Sequence, residues 1–284
     1  MLSYDDGDGL KSLMDLILPL NFKLIVIAYG TSSGNGYSFM DNLNDSRVIK
    51  VKEGERLGKT RAINQCLHYF TGELIYMMSS DITFDPEIIG DIESRFVDGV
   101  GAIVPSVEPV HRHGMVSATG VLLWNIRNVF LEWAQQNEEI PHGGELIAFR
   151  AGLIDEIPPV VNDEEYICMK ISKMGHRVLY APSLLVKNIA PDNVRDYLLQ
   201  RSRVIYGHRQ ILSMGFDPKV MDFIFLTNPM NFLRNLARTF KKFPWSFVYL
   251  IPLLFMEIFS IAESRKYTNQ DDVLKWNTVP STKP

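Results

Sequence analysis

The stretch "LIYMMSSDITFDP", Leu74 to Pro86, decides the fold. Its first five residues are apolar or aromatic, then two serines and a carboxylate, Asp81, end the run. A run this short, closed by small and polar residues, reads as a buried strand. A second acid, Asp85, precedes Pro86. That pair suits the first turn of a helix, with Asp85 as its cap. Asp81 is left without a capping role, at the carboxyl end of a strand.

Working outward, strands and helices alternate over residues 2–105. "LKSLMDLILPL" (Leu10 to Leu20) carries apolar residues at helical spacing. "FKLIVIAYG" is a strand stopped by the turn cluster "GTSSGNG", and "RVIKVK" is a further short strand. "KTRAINQCLHYF" reads as a helix stopped at Thr71-Gly72, "DPEIIGDIESRFV" as a helix and "VGAIVPSV" as a strand. This rhythm predicts an α/β fold, a mostly parallel sheet flanked by helices on both faces. Ligands of such sheets bind outside the carboxyl ends of the strands, where Asp81 and the "YGTSSGNG" turn both stand. Only Met1 and Leu2 precede "SYDDGDG", so the first strand is either a stub or begins upstream of this sequence. "KWNTVPSTKP" reads as a loose tail.

The 284 residues suffice for one large domain with an appendage, or for two small ones. Hydrophobic content of 46% with 22% charged residues is that of a globular chain. A net charge of −4 offers no basic field for nucleic acid, which is excluded as a partner. Cys66 and Cys168 fit neither a zinc site nor a disulfide framework and read as reduced, partly buried thiols. No secretory signal is visible in "MLSYDDGDG", which places the catalytic part in the cytoplasm.

One segment departs from this pattern. "PWSFVYLIPLLFMEIFSIA", Pro244 to Ala262, is nearly all apolar, close to the ~20 residues that span a bilayer. Pro252 and Glu257 interrupt it. Before it, "NFLRNLARTFKKF" sets Phe232, Leu233, Leu236, Phe240 and Phe243 on one helical face, with Arg234, Arg238, Lys241 and Lys242 elsewhere. That is the pattern of a helix lying among lipid headgroups. The expected division is a catalytic domain over 1–215 and a membrane-association region over 216–284. The latter comprises an interfacial helix, 231–243, and a membrane-inserted segment, 244–263, either spanning or shallow. The protein is expected at the cell membrane.

Several side chains bear chemistry. Magnesium or manganese on a diphosphate needs only one or two protein carboxylates, because phosphate and water fill the other positions. Asp81, left without the cap, can serve that task or act as a salt-bridge partner. Lys59 and Arg61 stand at a helix start, where backbone amides also favour an anion. "GERLGKT" is one residue short of a phosphate-binding loop. In "VVNDEEYICMKISKMGHRVLYAP", Asp163, Glu164 and Glu165 open a helix ended by Gly175. Such acids stabilise the helix dipole, or act as a general base at a site mouth. "YLLQRSRVIYGHRQ" carries Gln200, Arg201, Arg203 and Arg209, and arginine forks suit phosphate oxygens.

In this order the pieces resemble the family 2 inverting glycosyltransferases, whose nucleotide-binding α/β fold is of the GT-A type. The resemblance covers about residues 1–210. It runs through "SYDDGDG", "AYGTSSGNG", "GKTRAIN", "SSD" with Pro86, "HGGELIAFRAGLIDEIP", "DEEYICMKISKMGHRVLYAP" and "QRSRV". It implies that Tyr4, Asp5 and Asp6 meet the nucleoside, and that Gly30, Lys59, Asn64 and Ser80 surround the nucleotide. It implies Asp81 as the ligand of a divalent cation, Glu164 as the general base with Asp163 beside it, and Gln200, Arg201 and Arg203 near the donor diphosphate and the acceptor mouth. The implied reaction moves a sugar from a nucleotide-diphospho-sugar to a hydroxyl acceptor that is lipid-linked or a glycan at the membrane.

This sequence departs from the family pattern in places. Ala28 or Tyr29 stands where the family has a nucleoside-contacting Asp, and Ser79 where it has the first metal-side Asp. Val204 replaces a Trp, which argues against a polysaccharide synthase, and a single apolar segment cannot build a polymer channel. Glu164 replaces an Asp base and reaches about 1.5 Å further, which matters at hydrogen-bond scale. Two other readings compete. A sugar-phosphate nucleotidyltransferase would need a basic residue in the first glycine-rich loop, and none occurs before Lys11. A degenerate, non-catalytic relative would act as a binding or assembly partner.

Overall fold

The computed structural model describes residues 1–31, 37–55, 58–220, 227–267, 273–274 and 279–283. The "GTSSGNG" turn beyond Thr31 and the Arg56-Leu57 pair lie outside the described residues.

Strands β1 (Leu2–Tyr4), β2 (Ile25–Gly30) and β3 (Val48–Lys52) form a parallel sheet with β2 in the middle. A second sheet joins β4 (Leu74–Met78), β5 (Ile82–Phe84), β6 (Val100–Val110), β7 (Leu146–Arg150) and β8 (Arg177–Ile189) in the order β4-β7-β6-β8-β5. A parallel bridge between Leu2 and Ser79 sets the end of β4 against β1 and brings the two sheets edge to edge. β6 and β8 are parallel, whereas β7 runs against both β4 and β6, and β5 runs against β8. The strand-and-helix rhythm carries the parallel part. The reversal of β7 follows from its connection. A long helix, α5 (Gly114–Gln136), leaves β6 and the chain returns to the same sheet end, so β7 enters with its amino end there. The sequence reading assigns no element to that stretch.

The helices cover both faces. Helix α1 (Gly7–Ile17) buries Leu10, Leu13, Met14 and Ile17, the spacing of one helical stripe, against Ile25 and Ile27 of β2. Helix α4 (Ile88–Ser94) adds Ile88, Ile89 and Ile92 to that core. On the opposite face Ile63 of α3 (Lys59–Leu67) and Ile167, Cys168 and Ile171 of α6 (Asp163–Lys173) pack on Ile147 and Phe149 of β7. A short helix, α2 (Ser38–Asn42), contributes Met40. Both cysteines are free, and both are buried where the sequence reading has them partly buried.

Three local expectations change. Asp85 is not the helix cap: α4 begins at Ile88, and Asp85 closes the preceding turn by accepting the Glu87 amide at 3.2 Å. The proline accounts for this, since Pro86 enters a turn before regular helix is reached. Helix α8 (Pro229–Lys242) forms close to the expected bounds, with part of its apolar stripe half-buried against the protein and Leu233 exposed. Phe232 packs on Phe130, and Leu236 and Phe240 pack with Leu122 and Ile126 of α5. The supposed loose tail is also packed. Residues 275–278 lie outside the described residues, but Val279, Ser281 and Thr282 are buried.

After α8, a 3-10 turn (Pro244–Tyr249) leads into α9 (Leu250–Ser264). Together they form one 21-residue segment long and apolar enough to cross a membrane, with a mean hydropathy of 1.8. One side of α9 is committed to the protein. Leu253, Met256, Ser260 and Ser264 are buried, and helix α7 (Val194–Ser213) pins that side with Arg201 to Glu257 and Arg209 to the Ser264 carbonyl. The other side exposes Ile251, Leu254, Phe255 and Ile258, and the 3-10 turn exposes Trp245 and Phe247.

Candidate active site

Four chain segments meet at the sheet edge where β1 and β4 end. The first is "YDD". Asp5 sits at φ +55°, in the left-handed region, with its amide bonded to the Gly30 carbonyl and its carboxylate accepting the Thr31 hydroxyl at 2.8 Å. Asp6 is the N-cap of α1 and accepts the Gly9 amide at 3.3 Å. A Cβ on Gly9 would lie 2.5 Å from the Asp6 carboxylate, so glycine is required there. Gly30 lets the Tyr4 ring approach; a Cβ would stand 3.0 Å from it.

The second segment is the turn between β4 and β5. The Ser80 hydroxyl donates to Asp6 Oδ2 at 2.8 Å, and Asp81 projects beside it, partly buried. Oδ2 of Asp6 and Oδ2 of Asp81 converge on one point, which the Lys283 ammonium marks at 2.9 and 3.1 Å. Among the described residues no group of three or more His, Cys, Asp or Glu side chains is placed to hold a metal. Two convergent carboxylates with hydroxyls alongside nevertheless suit magnesium or manganese on a diphosphate, which supplies the remaining oxygens.

The third segment is the start of α6. Lys59, at the start of α3, reaches Glu164 Oε1 at 2.5 Å and Asp163 Oδ1 at 3.0 Å. Burial works against the Lys59 ammonium, but the two acids outweigh it and hold its pKa above the usual lysine range. One ammonium cannot neutralise both, and the fully buried Asp163 carboxyl is pushed up by burial and then by Glu164 beside it. Glu164 is thus held at the pocket wall by Lys59, with Asp163 behind it. Glu165 turns the other way. His208 Nδ1 donates to its Oε2 at 2.6 Å, and Asn162 adds a bond at 2.9 Å. Burial alone would raise the Glu165 carboxyl; His208, His142 and Asn162 together outweigh it and bring the pKa down to about 2.

The fourth segment is α7, which presents Gln200, Arg201 and Arg203 to a cavity of about 340 Å³. That is within the range of roughly 300–1,000 Å³ typical of ligand pockets. Tyr4, Lys59, Ser80, Asp81 and Glu164 line the same cavity. The structure therefore brings together eight of the residues named from the sequence. Asp6 stands just behind Asp81, and Asp163 lies under Glu164. Asn64 is elsewhere in role: its amide exchanges two hydrogen bonds with the Ile157 backbone and ties α3 to a loop. Asp5 and Gly30 shape the β1 turn and do not line the cavity. Arg201 lines it but is also paired with Glu257 at 2.8 Å.

Among the lining residues that sequence reasoning passes over are Glu145 and Arg127. Glu145, at the amino end of β7, has its carboxyl pushed up by burial and then by Asp81 and Glu164. Arg127 of α5 stacks on Trp124, 4.7 Å from the ring centroid, and donates to the Gly143 carbonyl. The helical repeat of "MVSATGVLLWNIRNVFLEWA" was the available signal for Arg127; only the reversal of β7 places Glu145.

A mixed α/β sheet with carboxylates, a lysine and arginines gathered at one strand-end pocket is an arrangement compatible with the GT-A fold. Residues 10–207 match the model of the glycosyltransferase-like family 2, and the chain belongs to that family. Among solved structures it is similar to the mannosyltransferase PcManGT from Pyrobaculum calidifontis, in complex with GDP-Man and Mn2+. That likeness has a TM-score of 0.57 and 18% identity over 94% of this chain and 76% of that one. A looser likeness, TM-score 0.45 and 12% identity over 72% of this chain and 63% of the other, links it to S. aureus TarS 1-349. No curated protein sequence matches the chain.

Proposed function

We propose that this glycosyltransferase is a cation-dependent, inverting enzyme of the hexosyltransferase type. It moves a sugar from a nucleotide-diphospho-sugar to the hydroxyl of a lipid-linked or membrane-bound glycan acceptor. The observation that carries the reading is the meeting of Lys59, Asp81, Glu164, Gln200 and Arg203 around one cavity. The manganese and GDP-mannose held by the PcManGT structure support a divalent cation and a nucleotide-sugar here.

A divalent cation at Asp81 supplies charge neutralisation for the leaving diphosphate. Arg203 and Gln200 face the same cavity from α7 and suit diphosphate and acceptor oxygens. Glu164 takes the proton of the acceptor hydroxyl as its oxygen bonds to the anomeric carbon. The bond from that carbon to the diphosphate oxygen breaks on the opposite face, and one displacement inverts the configuration. Lys59 fixes the Glu164 carboxylate at the cavity wall through their contact.

The division into a catalytic domain, 1–215, and a membrane-association region, 216–284, belongs to the same proposal, with the catalytic domain on the cytoplasmic side. We infer shallow insertion, not a span. Arg201 and Arg209 engage α9 at Glu257 and Ser264, and α7 carries its polar side chains along it. Charges held along that length do not fit the hydrocarbon core. The exposed strip of α9 fits the headgroup boundary, flanked by Arg234, Arg238 and Arg265.

The test is a panel of nucleotide sugars offered with manganese and a detergent-extracted lipid fraction. Transfer to lipid from one donor, with inverted anomeric configuration in the product, is the expected result. Transfer with retained configuration would overturn the mechanism, and no transfer from any donor would overturn the enzyme reading.

A further inference from the structure

We propose that Asp6 and Asp81 together form a two-carboxylate cation site, and that the chain's own Lys283 fills it until a divalent cation arrives with a diphosphate. Segment Val279–Lys283 is then a displaceable plug of the donor pocket. The inference rests on the reading of Asp81 as a cation ligand.

Three observations carry it. First, the Lys283 ammonium contacts both carboxylates, at 2.9 Å to Asp6 and 3.1 Å to Asp81. Asp6 is 4% exposed at its side chain and already serves Gly9 and Ser80. Two like charges converging on one point, one buried and one partly buried, favour a positive partner between them. An ammonium and a metal ion cannot share the point that touches both oxygens. Second, the segment is held by specific contacts. The Ser281 amide donates to Asp196 Oδ2 at 2.9 Å in the first turn of α7, and Arg112 donates to the Lys283 carbonyl. Val279, Thr282 and Lys283 line the same cavity as Lys59 and Glu164. Third, the segment has little regular structure of its own. A single 3-10 turn, Pro280–Thr282, is the only regular structure among the described residues beyond 275. Short terminal segments outside the sheets and long helices open at lower cost than the core.

Charge favours displacement once donor is present. Two carboxylates and one ammonium leave the site formally at −1, which repels a diphosphate. With a divalent ion in place of the ammonium the site is neutral, and the ion adds direct bonds to phosphate oxygens. Exclusion is reciprocal: the docked segment weakens cation binding, and the cation releases the segment.

The test uses the full chain in detergent with manganese and GDP as probes. Manganese affinity is read from the spin resonance of the free ion, and the Ser281 amide from hydrogen exchange. Lys283→Met is expected to bind manganese about tenfold tighter, within the range of coupled sites. Because that variant also removes a positive charge, Ser281→Pro provides a second arm: it loosens the segment without altering charge and is expected to tighten binding too. In the unaltered chain, manganese with GDP is expected to speed exchange at Ser281. Equal affinity in Ser281→Pro and the unaltered chain, or unchanged Ser281 exchange, overturns the plug while leaving Asp81 as a cation ligand. Absence of manganese binding in every chain overturns both.

Discussion

At the scale of single residues, the site depends on close approaches that only small side chains allow. A Cβ on Gly143 would lie 2.7 Å from Glu164 Cβ, with no flexible chain end to give way. Gly143→Ala therefore shifts the start of α6 and the carboxylate it carries. Misplacement on that scale costs about 10- to 100-fold in rate, and kcat is expected to fall by this much while the urea midpoint changes little. Glu165 gives a pH signature. Its folded pKa, about 2, lies below its ordinary 4.5, so the unfolded chain binds more protons between these values. The stability it contributes is complete above pH 4.5 and is lost as pH falls toward 2. Urea titrations at pH 7, 5 and 3.5 are expected to show a drop at the acid end that Glu165→Gln flattens. Asp81, Lys59 and Glu164 are legible in the sequence because each stands at the end of a strand or the start of a helix, where local pattern fixes position. Glu145, Arg127 and Lys283 are not, because they reach the pocket through pairings made far along the chain.

At the scale of elements, the apolar segment that the sequence reads as membrane-inserted is a helix with one side buried on α7 and α5 and the other exposed, and its two faces divide the work. The inner face carries Glu257, bonded to Arg201 and to the Tyr197 hydroxyl at 2.9 Å. Glu257→Leu leaves Arg201 without that partner in a largely buried position. Breaking such a pair costs about 3–5 kcal/mol, and denaturant unfolding is expected to report a loss of that size. The outer face is separable from folding. Phe255 and Ile258 are 60% and 62% exposed, so Phe255→Asp with Ile258→Asp is expected to leave the unfolding midpoint in place. Co-sedimentation with anionic vesicles is expected to be lost in the same variant, and unchanged sedimentation would contradict the membrane assignment. Helix α8 shows where pattern reading stops. Its stripe of Phe232, Leu236 and Phe240 is half-buried against α5, while Leu233 of the same stripe stays exposed, so amphipathicity alone does not say which partner covers each residue.

At the scale of the whole molecule, the parallel part of the sheet and the helices on its two faces follow from the alternation of apolar runs with helical stripes. The direction of β7 does not, because periodicity is the same for either direction of pairing. That reversal matters, since it brings His142 to Glu145 to the edge that the β1 and β4 ends already occupy. The result is one pocket floored by the sheet ends, walled by α5, α6 and α7, and flanked on its outer side by the exposed helix α9. Such a placement suits an acceptor presented from a lipid surface. The central claim is that Asp81 and Glu164 serve different steps of one transfer. The most direct measurement is release of nucleoside diphosphate from the accepted donor, with manganese and acceptor, by the unaltered chain, Asp81→Ala and Glu164→Gln, alongside nucleotide binding by each. The account predicts that Asp81→Ala loses both manganese-dependent binding and turnover, and that Glu164→Gln keeps binding while turnover falls at least about 100-fold, the lower range of general-base contributions. Equal turnover in all three chains would contradict it.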